Sequence, residues 1–112
     1  MLAGCKANHE HDGLYIADQQ ITGVTHAWIL EGDKMTIYSM GTFRAVDCKQ
    51  YADRIETDKN ETYYFNSGGS SIVVPKVGGK QVNMKKVSNR TTFNIGELDK
   101  LVENAIAPAF VR

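Results

Sequence analysis

Residues 27–38, AWILEGDKMTIY, set two apolar runs on either side of a short polar interruption. Ala27-Trp28-Ile29-Leu30 and Met35-Thr36-Ile37-Tyr38 carry the branched and aromatic side chains that suit a pleated surface. Between them, Glu31-Gly32-Asp33-Lys34 is turn chemistry. Gly32 can take positive φ without steric cost, and Asp33 suits the next turn position. The stretch predicts a β-hairpin.

Similar runs recur on both sides. Leu14-Tyr15-Ile16-Ala17 reads as a first strand, with 19–23 as its frayed end or a turn. Residues 42–46 and 51–56 are the next strands, although Tyr51 and Ile55 lie four apart and also allow a short helix at the second. Thr62-Tyr63-Tyr64-Phe65 is a short aromatic strand after a turn at 59–61, and 66–70 is a Gly/Ser loop. A second hairpin pairs 71–74 with 81–84 around Gly78-Gly79, a dipeptide that permits a tight primed turn. Pro75 cannot donate to a ladder, so the strand should be an edge there or end.

The tail changes period. Asn94 and Glu97 have capping-box spacing, and Leu98, Leu101, Val102, Ala105 and Ile106 form one stripe at helical spacing. A helix over about 95–107 follows, stopped by Pro108. Seven to nine short strands with frequent turns predict a mainly β fold: a small antiparallel β-barrel or sandwich with the C-terminal helix packed on it. At 112 residues and 42% hydrophobic, the chain has material for one core, expected as a single domain over 13–112.

Thirteen basic and thirteen acidic side chains cancel, leaving no long-range field to gather phosphate polymers. Nucleic acid is therefore not an expected partner. No apolar run approaches the roughly 18 residues of a membrane helix, and two cysteines do not make a disulfide scaffold.

Leu2-Ala3-Gly4-Cys5 resembles the lipobox of bacterial lipoproteins, in which leucine, two small residues and cysteine mark the processing site. The resemblance implies cleavage before Cys5 and lipid attachment at its sulfur, hence a membrane partner through that anchor. No hydrophobic segment precedes the motif, so the expected native form has a signal sequence upstream of a supplied Met1. In the enterobacterial sorting rule an aspartate after the cysteine retains the protein at the inner membrane. Lys6 stands there instead, which implies the periplasmic face of the outer membrane in a Gram-negative cell. Residues 6–12 are polar and aperiodic, so 1–12 reads as a lipobox remnant and flexible tether. Without acylation, a Cys5–Cys48 disulfide is the alternative. Gly13-Leu14-Tyr15 loosely resembles the opening of lipocalins, which implies a ligand-binding barrel.

The residues that invite chemistry are few. His9 and His11 alternate in an extended segment and are weak metal candidates, with Asp12 or His26 as a third ligand. As the glutamate lies between the histidines, this is not the helical HExxH of zinc proteases. Cys48 reads as a small buried hydrophobe rather than a nucleophile. No nucleophile elbow, P-loop or dinucleotide fingerprint occurs, so no cofactor and no enzymatic activity are expected. Lys76, Lys80, Lys85, Lys86 and Arg90 form a basic stretch suited to an anionic partner, or to keeping an edge hairpin unsticky. The expectation is a non-enzymatic envelope lipoprotein that binds an envelope or secreted protein, of inhibitor or immunity type. The alternative is a lipocalin-like carrier of a small apolar ligand; metal handling through His9 and His11 ranks below both.

Overall fold

A computed structural model describes residues 9–18, 26–39, 41–66, 70–77 and 80–106, with the side chains of 75–77, 80 and 104–106 left aside. The lipobox and Cys5, the segment 19–23, the turn glycines at 78 and 79, the Lys76 and Lys80 side chains and Pro108 lie outside that description.

The eight strands are β1 (Gly13–Ala17), β2 (Ala27–Glu31), β3 (Lys34–Ser39), β4 (Thr42–Gln50), β5 (Arg54–Thr57), β6 (Thr62–Asn66), β7 (Ser71–Val77) and β8 (Lys80–Ser88), followed by helix α1 (Ile95–Ile106). Each strand pairs antiparallel with the next, and β1 closes on β8, giving an up-and-down barrel. Between the barrel and the sandwich, the structure selects the barrel. Strands of four to nine residues are what allow so short a chain to close it.

The central hairpin pairs Leu30 with Met35 and Glu31 with Lys34 around Gly32, whose φ is 60°. Gly13 does comparable work at the closing seam. Its φ is 149°, and an added Cβ would press on the Ser88 carbonyl oxygen. Beside it, the β1–β8 register shifts between Leu14 and Tyr15. Pro75 sits where β7 has run past its β6 partners, and the β7–β8 register is irregular between Val74 and Val77.

Three strand limits differ from the sequence reading. Residues 51–53 form a corner, and β5 begins at Arg54, with Tyr51 N donating to Arg54 O at 2.7 Å. β4 continues to Gln50 and β8 to Ser88, because charged residues on the outer face alternate with Cys48, Gln50 and Met84 inside.

The interior is filled from every strand: Tyr15, Trp28, Leu30, Met35, Cys48, Ile55, Ile72, Val82 and Met84 are all buried, with Phe65 packed against them. A second cluster lies outside the wall. Leu98 of α1 is fully buried against Leu14, Ile16, Ala27, Ile29 and Tyr38. All of β1 is therefore buried, since one face lines the core and the other lies under the helix. Asn94 Oδ1 accepts from Glu97 N at 2.8 Å and Glu97 Oε1 from Asn94 N at 3.3 Å, the reciprocal pair expected at this N-terminus.

Candidate functional site

The barrel has two unlike ends. The lower one carries the N-terminal segment and the β2–β3 and β4–β5 corners, and a polar network closes it. Asp12 Oδ1 accepts from Gly32 N at 2.8 Å and Gln50 Nε2 at 2.7 Å, while Gln50 Oε1 accepts from His11 N at 3.0 Å. Tyr15 Oη donates to His11 O at 2.7 Å. The His11 ring, 6% exposed, stacks on Phe65 with centroids 3.8 Å apart, and its Nε2 bonds Ala52 O at 3.0 Å. His11 and Asp12, read from sequence as tether, are thus built into the barrel, while His9 and Glu10 are exposed. The tether reading fails there because the partners, Gly32, Gln50 and Ala52, are distant in sequence.

The same contacts separate the two histidines. His9 Nδ1 pairs with Asp12 Oδ2 at 2.7 Å, whereas His11 Nε2 is engaged at Ala52. Among the described residues no three His, Cys, Asp or Glu side chains converge in a metal-binding group. The hydrogen bond and charge of Asp12 raise the His9 pKa. Burial pulls Asp12 upward, but hydrogen bonds from Gly32 N, His9 and Gln50 outweigh it and hold its carboxyl below the ordinary value.

Of the basic stretch, the three described side chains, Lys85, Lys86 and Arg90, do not form one patch. Lys85 is exposed on the outer wall, but Lys86 turns inward, half-buried, with Nζ 5.7 Å from the Tyr15 ring centroid. Arg90 pairs with Glu97 at 3.2 Å and lies over the Phe93 ring. Cys48 is buried and free, its thiol pushed up to about 11 by burial and then by Asp33 and Asp47. That is the environment of an inert core cysteine. A shallow groove of about 320 Å³ runs past it along the β4–β5 seam, lined by Asp47, Lys49, Tyr51, Glu56, Thr57 and Asp58.

The upper end is uneven. β4 pairs with β5 only at Cys48, Lys49 and Gln50, and β6 pairs with β7 only from Ser71 to Val73. The β3–β4 and β7–β8 hairpins therefore rise as two arms above the short β5–β6 hairpin, leaving a notch between them among the described residues. One inward-facing row leads into it: Tyr15 opposite Trp28, Trp28 opposite Ile37, Ile37 opposite Arg44. Trp28 meets Tyr63 edge-on, centroids 5.0 Å apart. Burial, followed by Glu61, pushes the Tyr63 hydroxyl up to about 12, while Arg44 acts in the opposite sense. Arg44 is exposed and forms no ion pair among the described residues. The sequence reading missed it, because a single arginine in Thr42-Phe43-Arg44-Ala45-Val46 looks like an ordinary outward strand position. Only the register with Ile37 turns it inward.

Comparison with protein-family models, with curated proteins and with solved structures finds no match to this chain.

Proposed function

We propose that this protein is a non-enzymatic bacterial lipoprotein of the cell envelope, held at the membrane by lipid on Cys5 and presenting its barrel to a protein partner. The observation that carries the reading is the Leu2-Ala3-Gly4-Cys5 motif a few residues ahead of His11 and Asp12, which are bonded to the lower end of the barrel. An anchored domain needs a modifiable residue outside its core and a firm attachment behind it, and the lower-end network provides the second. Barrel packing bears on the rival carrier reading. Tyr15, Leu30, Met35, Ile55, Ile72 and Met84 are each at most 1% exposed and occupy the space a ligand would need. The remaining surface recognises by shape and charge, in keeping with an inhibitor- or immunity-type partner in the envelope.

The test uses the signal-bearing precursor in a bacterial host fed an alkyne-tagged fatty acid. The wild type should take up label and sediment with membranes; Cys5→Ala should be unlabelled and soluble. A variant that stays labelled or membrane-bound overturns the anchor. Cross-linking of the lipidated protein in intact envelopes should give a discrete heterologous protein adduct, and lipid or metabolite alone would favour the carrier.

A further inference from the structure

The upper notch joins two incomplete features. Asp47 O accepts from Asp58 N at 2.9 Å on the β5 side, whereas Cys48 N donates to Asp33 O on the β3 side. By strand alternation, the N–H and C=O groups of Phe43 and Ala45 face the side of Asp58, above the point where β5 has ended. Residues 42–45 are all exposed, and this edge has no proline and no bulge, its one guard being the inward charge of Arg44. Directly beside it stands Arg44, facing the interior without an ion-pair partner among the described residues, with Trp28 and Tyr63 beneath.

We propose that the notch is the partner site: an extended segment of a partner protein adds as a strand to the β4 edge at 42–45 and sets one carboxylate side chain against Arg44. Backbone pairing supplies sequence-independent binding, and the alternate side chains pointing inward supply selectivity. The guanidinium favours a carboxylate because it can hold both oxygens. One carboxylate fits better than an acidic run, since Asp58 and Glu61 on the β5–β6 turn would repel further negative charge. This rests on the protein-partner part of the function proposed above and is independent of the lipid.

The experiment pans the full chain against a random dodecapeptide phage library. Enriched sequences should carry one Asp or Glu flanked at alternate positions by apolar residues. A synthetic peptide of the leading sequence should shift the amide resonances of 42–45 most. Arg44→Glu should weaken it at least tenfold and redirect enrichment toward Lys or Arg. Ala45→Pro should weaken it similarly by removing one edge N–H; that N–H faces away from β3, so the barrel should keep its melting temperature. Lys85→Glu, on the outer face of β8, should leave affinity unchanged. Absence of acidic enrichment, shifts mapping elsewhere, or indifference to both β4 substitutions would overturn the site. So would concentration-dependent dimerisation lost in Arg44→Glu and Ala45→Pro, since a second copy would then hold the edge. An envelope adduct that survives both substitutions would sink the notch while sparing the partner reading.

Discussion

Asp12 shows how much structure one short side chain can organise. Its Oδ1 satisfies the Gly32 N–H and the Gln50 amide, and Oδ2 takes His9. Asp12→Ala leaves the Gly32 N–H without its acceptor at a buried corner and leaves the Gln50 amide to its bond with Gly32 O, at a cost of about 1–3 kcal/mol, readable by urea denaturation. His9 gives that corner a pH dependence. With its pKa raised above 6.5, it contributes stability that is complete below pH 6.5 and fades as pH rises through the folded value. Asp12, held below 3.8, contributes above that pH and loses it as pH falls further. The pair is therefore most effective between those limits, with Glu31 and Asp33 adding to the field on His9. The melting-temperature gap between wild type and His9→Ala should be larger at pH 5.5 than at pH 8.5. His26, lowered by burial, acts in the opposite direction but is present in both proteins and drops out of the difference. An equal gap at both pH values would remove His9 from the latch. None of this was legible in HEHDG, where a polar run carries no mark of partners 20 and 38 positions away.

Elements were easier to read than their limits. The hairpin around Gly32 and the capped helix each announce themselves locally, by turn residues in one case and a reciprocal Asn94–Glu97 pair in the other. β4 beyond Val46 and β8 beyond Met84 did not, because DCKQ and KKVS are polar enough to resemble loop, and their inward positions are Cys48, Gln50 and Lys86 rather than a run of branched residues. The helix stripe gave the contact with the barrel, and the structure places it on the outer face of β1–β3. Leu98 is the centre of that contact, while Ile95, 47% exposed, lies off it; Tyr38 Oη adds a hydrogen bond to Asp99. Leu98→Ala should cost about 2–5 kcal/mol, as expected for a large buried side chain, whereas Ile95→Ala should stay within about 0.5 kcal/mol. Parallel urea titrations decide it. Equal losses would mean that the helix is held by its cap and ion pair with Arg90 rather than by docking on the barrel.

At the scale of the whole molecule, closure of the barrel and the proposed lipid near its N-terminus would together fix a direction. The four peptide steps from Cys5 to His9 reach at most about 14 Å, so lipid on Cys5 would hold the lower end close to the bilayer. β4, nine residues from Thr42 to Gln50, carries the upper arm away from that end. Tilted as barrel strands are, it rises on the order of 20 Å. An anchored protein should therefore stand with its latch toward the membrane and its notch toward the periplasmic space. This can be tested by placing a fluorophore on Ala52→Cys at the lower corner or Thr42→Cys on the upper arm, both exposed positions. Cys48, buried with a raised pKa, should not compete for the dye. In vesicles bearing nitroxide-labelled headgroups, the lipidated Ala52 label should be quenched strongly and the Thr42 label weakly. Inserting twelve Gly/Ser residues after Ala7 should reduce the contrast by freeing the barrel to tumble. Equal quenching at the two positions before the insertion would show that the barrel lies on its side, and the notch would then face the membrane plane rather than a partner above it.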